Sequence, residues 1–132
     1  MITATDYVSI EKMLSEFFNG MNQIVPLDMV DYTELKQGAS RAVSVLSSSA
    51  DGDASADEAL DKALESLSCQ GVKSVMISLC AHNTDIITQS AIARLIEATY
   101  KHVGQVPVIW GAGENTTMGE GEWQLLCVVF YE

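Results

Sequence analysis

The chain has 132 residues, the length of one domain, and its 48% hydrophobic and 19% charged residues are typical of a globular protein. Seven basic and eighteen acidic residues give a net charge of −11. This charge argues against nucleic acid and anionic membranes as partners, because both bind clustered Lys and Arg. The three cysteines lack metal-ligand spacing and indicate free thiols in a reducing compartment. With no signal-like start and no apolar run of about 18 residues, the sequence predicts a cytoplasmic protein.

A long amphipathic helix is predicted at the start of the chain. Its apolar residues recur at steps of three and four: Tyr7, Ile10, Leu14, Phe17, Met21 and Ile24. Thr5 or Asp6 is expected to cap it, and Gly20 or Asn22 to end it. One sheet edge is not expected to cover all of its large side chains, which predicts an interface formed by Tyr7, Met13, Phe17, Phe18 and Met21. A homodimer with these helices packed antiparallel is the simplest such interface.

The rest of the chain alternates predicted strands and helices. In order these are an extended piece at 24–28, a short helix at 31–36, a strand at 41–48, a loop at 49–56, a helix from 56 to about 70, a strand at 72–79, a helix from about 83 to 103, a strand at 106–110, a glycine-rich connection at 111–122 and a strand at 123–131. Ser55 and Glu58 predict a capping box. We expect an α+β fold with two layers: a four-stranded mixed sheet, two helices on one face, and the long and short helices preceding it. The last two strands are expected to pair antiparallel.

Several motif-like patterns fail chemical tests. The acidic loop at 51–57 resembles a calcium loop, but Ala56 stands where Gly is needed and Lys62 where Glu is needed. The glycine pairs at 111–113 and 119–121 do not lead into helices, so they predict a turn and not a phosphate site. The sequence therefore predicts no metal and no cofactor.

Two further groups of residues have open interpretations. Cys80 and His82 lie close in sequence, but no third group completes a catalytic triad, and His102 fits a helix carboxyl end. Asp28 and Asp31 flank Met29 and Val30, and two carboxylates at this spacing can polarise a water or bind Mg²⁺ weakly. The structural alternative is that Asp31 caps the short helix while Asp28 is solvated.

Three stretches resemble the bacterial tubulin homologue FtsZ. Residues 107–129 read PVIWGAGENTTMGEGEWQLLCVV and resemble the end of that family's C-terminal domain. Residues 24–32 read IVPLDMVDY and are similar to its synergy loop, and residues 39–103 follow its order of strand, acidic loop, helix, strand and helix. By this resemblance, residues 1–23 correspond to the family's connecting helix and residues 24–132 to its C-terminal domain.

The resemblance implies an assembly role. The chain has no GGGTGTG-type phosphate loop, so alone it is not expected to bind or hydrolyse GTP. Asp28 and Asp31 match the two aspartates that, in the family, position the attacking water in the next subunit's site, while Pro26 and Val30 depart from the family's Asn and Ala. We expect a non-catalytic module that docks on itself or on a filament-forming, cell-division-type partner carrying a nucleotide domain. The alternative, a small ligand-binding domain or mutase-like enzyme, requires a pocket with convergent polar groups.

Overall fold

The computed structural model describes residues 1–52 and 54–132, and of Thr84 it describes the backbone. Within these ranges the chain forms six strands and four α-helices: β1 (Ile2–Ala4), α1 (Tyr7–Asn19), β2 (Asn22–Val25), α2 (Met29–Gln37), β3 (Arg41–Ser48), α3 (Ala56–Glu65), β4 (Val72–Ala81), α4 (Gln89–Val103), β5 (Val108–Glu114) and β6 (Trp123–Tyr131). Short 3-10 turns at Ser49–Asp51 and Thr84–Ile86 precede α3 and α4. Asp53, in the calcium-like loop, lies outside the described residues.

All six strands form one mixed sheet in the order β1-β3-β6-β4-β5-β2. β4 and β5 run parallel, and the other neighbouring pairs run antiparallel. The central strands β4 and β6 are buried along almost their whole length, which explains their continuous apolar sequences. Alternate side chains of β4 point to opposite faces: Val75 and Ile77 enter one core, while Met76 and Cys80 enter the other.

Helices cover both faces of the sheet. On one face α3 and α4 bury Leu60, Leu64, Ile92 and Leu95. On the other face α1 and α2 bury Ile10, Leu14, Phe17 and Tyr32. Burying each large apolar side chain contributes about 1.5–3 kcal/mol. Because residues of both cores alternate along the same strands, the three layers are stabilised together.

The predicted fold class is wrong in its layers and its strand number. The expected fold had two layers and four strands with two helices on one face, whereas the sheet has six strands and both faces carry helices. The edge strands β1 and β2 were missed because they have three and four residues, too few for a clear alternating pattern. The last two strands are also not neighbours, since β4 lies between β5 and β6.

The first helix has its cap and its end at predicted residues, although the helical spacing of apolar residues continues beyond it. Asp6 caps α1 by accepting a hydrogen bond from Ser9 N at 2.9 Å, and Gly20 ends it after 13 residues. Residues 22–25 form β2, so Ile24 belongs to the strand, and the predicted division after residue 23 falls inside it. Ile24 therefore fits the helical spacing of the apolar residues only by chance.

The predicted start of α3 at residue 56 is confirmed, but its capping box and the predicted start of α4 are wrong. Ser55 precedes α3, but its side chain makes no capping hydrogen bond, so the predicted box with Glu58 does not form. Thr88 caps α4 by accepting a hydrogen bond from Ala91 N at 3.0 Å, and the predicted start near residue 84 is instead a 3-10 turn. Several residue types can cap a helix, and tertiary packing selects among them.

The predicted glycine-rich connection begins as a strand. Gly111 and Gly113 belong to β5 and are buried where β2 and the following loop cross close to it. A Cβ at Gly111 would overlap the Leu27 Cβ and would lie 2.9 Å from the Val25 carbonyl oxygen. The glycines therefore permit a close approach of two backbone segments.

Candidate functional site

The loop between β2 and α2 holds the two aspartates in a fixed arrangement. Asp28 Oδ1 accepts a hydrogen bond from Val30 N at 2.9 Å, and Asp31 Oδ2 accepts one from Asp28 N at 2.9 Å. This reciprocal pair is a capping box, in which Asp28 is the N-cap of α2. The expectation that Asp31 caps the helix is thus wrong, because α2 begins two residues earlier. The box keeps both carboxylates at one helix end, with Asp28 exposed and Asp31 half-buried.

The strand before this loop is distorted in a way that exposes an apolar side chain. The β2–β5 register shifts between Gln23 and Val25, which makes Ile24 the extra residue of a bulge. Ile24 is 44% exposed, an unusual environment for isoleucine. Gln23 Oε1 accepts a hydrogen bond from Leu27 N at 2.6 Å, and the Leu27 side chain is buried. The loop after β2 is therefore held in place by Gln23 and Leu27, while the side chain of Ile24 in the strand is exposed to solvent.

An apolar groove of about 370 Å³ lies beside β2. It is lined by Ile24, Val25, Ile87, Thr88, Gln89, Ile92, Ala93, Ile96 and Trp110, none of which is ionisable. These residues come from β2, the turn before α4, α4 and β5. We call this groove, together with the loop at residues 26–28 and the first two residues of α2, the β2 surface. Val30 in the first turn of α2 is 64% exposed and lines a separate hollow with Gln23 and Asp28, so the surface combines a groove with an exposed apolar side chain outside it.

The free edge of β2 is unsuited to pairing with another strand. Among the described residues no strand pairs with its outer side. The strand has four residues, contains the bulge and is followed by Pro26, which has no N–H to donate. Short length, bulges and proline are the features by which proteins prevent edge-to-edge association. Contacts at this surface are therefore expected through side chains and not through added strands.

The residues predicted as an interface on α1 are largely covered by the domain itself. Phe17 is 7% exposed, and Tyr7, Met13, Phe18 and Met21 are half-buried against the second core. The premise that the sheet cannot cover them is wrong, because α1 packs with α2 on a whole face of the sheet, against side chains of β3, β4 and β6. Val8 is the large apolar residue of α1 that is most exposed, at 81%, and it stands alone. The predicted homodimer therefore loses the support it had from this helix.

A polar contact joins α1 to α2 beneath the loop. Tyr32 OH donates to Glu11 Oε2 at 2.9 Å, and Lys36 Nζ lies 3.0 Å from the same oxygen. The hydrogen bond from Lys36, followed by that from Tyr32, lowers the pKa of Glu11. Burial and the Glu11 carboxylate raise the pKa of Tyr32. This contact fixes the orientation of α2 and hence the position of its capping box.

The structure does not bring Cys80 and His82 together for catalysis. His82 Nδ1 lies 2.6 Å from the Met118 carbonyl oxygen, and Cys80 Sγ contacts Met118 Sδ at 4.0 Å. Burial raises the pKa of Cys80, which disfavours the thiolate that nucleophilic catalysis needs. The groove beside β2 also lacks the convergent polar groups expected of a small-molecule site. Cys80 and His82 therefore form no catalytic pair, and the groove beside β2 is an apolar surface.

Comparisons of the chain with protein-family models and with curated proteins find no match. No helix in the described part of the chain is long and apolar enough to cross a bilayer. The loop aspartates can be recognised in the sequence, whereas the groove cannot. The residues that line the groove are distant from one another in sequence. Two features point to it weakly: the adjacent isoleucines at 86–87 lie in a polar turn, and Ile24 also fits the helical spacing of the preceding segment.

Proposed function

We propose that this chain is a non-catalytic docking module of the FtsZ C-terminal type that acts in the cytoplasm. The observation that carries the proposal is the β2 surface, where β2 and the loop after it connect an uncharged apolar groove to the fixed carboxylate pair at the start of α2. A groove of this kind gains binding energy from apolar burial, and charges at its margin select the partner. The succession β3, α3, β4, α4 also agrees with the order that the resemblance implies for residues 39–103.

The proposed partner is a filament-forming protein that carries a nucleotide domain. It should present an apolar side chain flanked by Lys or Arg, because the groove is apolar and the chain has a net charge of −11. A symmetric homodimer through the same surface would bring two Asp28 carboxylates and two strongly acidic chains together. Such repulsion is only partly screened, over about 8 Å at physiological salt. We therefore favour a partner of different sequence.

The aspartate pair is proposed to act on that partner. Asp28 Oδ1 and Asp31 Oδ2 accept backbone hydrogen bonds, and each carboxylate has a second oxygen able to accept another. A water held by these oxygens would be oriented toward a nucleotide bound on the partner, as general-base catalysis requires. The chain itself contributes no phosphate-binding loop, so this contribution is made in trans.

The test uses the purified nucleotide domain of an FtsZ-type protein as the binding probe. We expect sedimentation velocity to show a one-to-one complex and the GTPase rate of the probe to rise when the chain is added. Val30→Glu should weaken binding at least tenfold, about 1.4 kcal/mol. Val8→Glu is the matched control, because Val8 is also an exposed helical valine but lies outside the β2 surface. Binding unchanged by Val30→Glu would contradict the proposed surface.

A second variant separates docking from the trans-acting role. Asp28→Asn keeps an N-cap side chain, since Asn caps about as well as Asp, but removes the negative charge. We expect it to bind the probe less than tenfold more weakly and, at a saturating concentration of the variant, to lose the stimulation of GTP hydrolysis. Full stimulation by Asp28→Asn would contradict the role of the carboxylate. A stable dimer of the chain alone that Val30→Glu dissociates would identify the occupant as a second copy and overturn the partner proposal.

A further inference from the structure

A cluster of potential metal ligands lies on the face of the molecule that carries α3 and α4. Asp61 and Glu65 are four residues apart on α3, so they share one side of that helix. His102 lies in the last turn of α4. One ligand atom from each of the three residues lies within 4.8 Å of the others. The cluster is separate from the β2 surface and has no part in the proposed docking.

The packing of α3 against α4 holds this cluster together. Arg94 Nε lies 3.7 Å from Asp57 Oδ1, and His102 Nε2, two turns further along α4, lies 2.5 Å from Asp61 Oδ1, one turn further along α3. The two helices therefore run side by side in the same direction. Both carboxyl ends, with their partial negative charge, point toward the region of the cluster, which favours a cation there.

We propose that Asp61, Glu65 and His102 bind a divalent transition-metal ion of the Zn²⁺ type between α3 and α4. One imidazole nitrogen with two carboxylate oxygens suits Zn²⁺ and similar ions, whereas Ca²⁺ and Mg²⁺ prefer six or more oxygen ligands. The ion takes the place of the hydrogen bond between His102 Nε2 and Asp61 Oδ1. His102 then coordinates through Nε2 as a neutral imidazole that carries its proton on Nδ1.

The burial of the ligands fits a bound ion that remains accessible to water. The His102 side chain is 13% exposed and the Asp61 side chain 33% exposed, so the imidazole is held while the carboxylate side stays open. Lys101 Nζ lies 3.6 Å from Asp61 Oδ1 and competes with a cation for that oxygen. Its side chain is 69% exposed, so it can move into solvent when the ion binds. The ion would then connect the two helices in place of the hydrogen bond.

The test is calorimetric titration of the chelator-treated chain with Zn²⁺ alone. We expect one ion per chain at micromolar concentrations and a higher melting temperature with the ion bound. Glu65→Gln and His102→Ala should each weaken binding at least tenfold, while Lys101→Met should strengthen it. Glu34→Gln is the control for Glu65→Gln, because Glu34 is exposed on α2 at the opposite face of the sheet.

Two ligand variants, Glu65→Gln and His102→Ala, allow the proposal to be tested even if one of them does not fold. The side chain of Glu65 is exposed and makes no hydrogen bond within the described part of the chain. Glu65→Gln is therefore expected to fold normally even if His102→Ala does not. Zn²⁺ affinity unchanged by Glu65→Gln, or no binding by the unaltered chain at micromolar Zn²⁺, would overturn the proposal. Loss of binding in Cys69→Ser would also overturn it, because it would place the ion on the half-buried thiol.

Discussion

Replacing Gly111 by Ala tests whether the close approach of β2 to β5 determines the position of the loop. The added Cβ would overlap the Leu27 Cβ and would lie 2.9 Å from the Val25 carbonyl oxygen. Neither atom is the end of a flexible side chain, so the backbone of the loop must move. We therefore expect Gly111→Ala to destabilise the fold and to displace the loop that carries Asp28.

The magnitude follows from two opposing terms. Overpacking a buried site costs about 1–3 kcal/mol. The smaller conformational freedom of alanine in the unfolded chain returns about 0.4–1 kcal/mol. The expected net loss is thus about 1–2 kcal/mol by these estimates. If the loop detaches completely from β5, the loss in the free energy of unfolding is limited to that of exposing Leu27, about 1.5–3 kcal/mol.

Equilibrium urea unfolding followed by tryptophan fluorescence measures this loss. For a urea dependence of about 1.5 kcal/mol/M, the midpoint should fall by roughly 1 M. Gly119→Ala is the matched control, because the three atoms nearest to a Cβ there all belong to the exposed Glu122 side chain, which can rotate away with the loss of one exposed hydrogen bond from Gly119 N. Its midpoint should change by no more than the equivalent of about 0.5 kcal/mol. Equal midpoints for the two variants would refute the argument from close approach.

Three further changes have defined outcomes. Asp28→Ala removes the N-cap of α2 and should lower the free energy of unfolding by about 1 kcal/mol in urea melts. Burial raises the pKa of Cys127 to about 12, so a disulfide reagent should modify half-buried Cys69 first and reach Cys127 only on unfolding. The hydrogen bond from Lys36 lowers the pKa of Glu11 from 4.5. The Glu11 carboxylate therefore stabilises the fold above that pH, and this contribution is lost as the pH falls through the folded-state pKa. Glu11→Gln should therefore be less stable than the unaltered chain at neutral pH, and the difference should shrink on acidification.

Local sequence was sufficient for the elements that are long and strongly patterned. Strands at 41–48 and 123–131 are confirmed with the predicted bounds, and α4 ends at Val103 before Gly104 as predicted. In these segments apolar periodicity, β-branched residues and a terminal glycine all favour the same structure. The aspartate pair could also be found from the sequence, since its spacing of three is the spacing of a capping box.

The sequence alone could not determine the two edge strands, the second helical layer or the apolar groove. β1 and β2 exist only because β3 and β5 offer them hydrogen-bonding partners, and no three- or four-residue strand is stable without a partner. The central strands and α2 cover one side of α1, which buries Phe17 and leaves the other large side chains of the predicted interface half-buried. The groove likewise needs Ile24, Ile96 and Trp110 brought together from three elements. Local patterns set which segments form helices and strands, whereas the sheet order decides which apolar side chains become core and which remain exposed, because burial depends on neighbours distant in sequence.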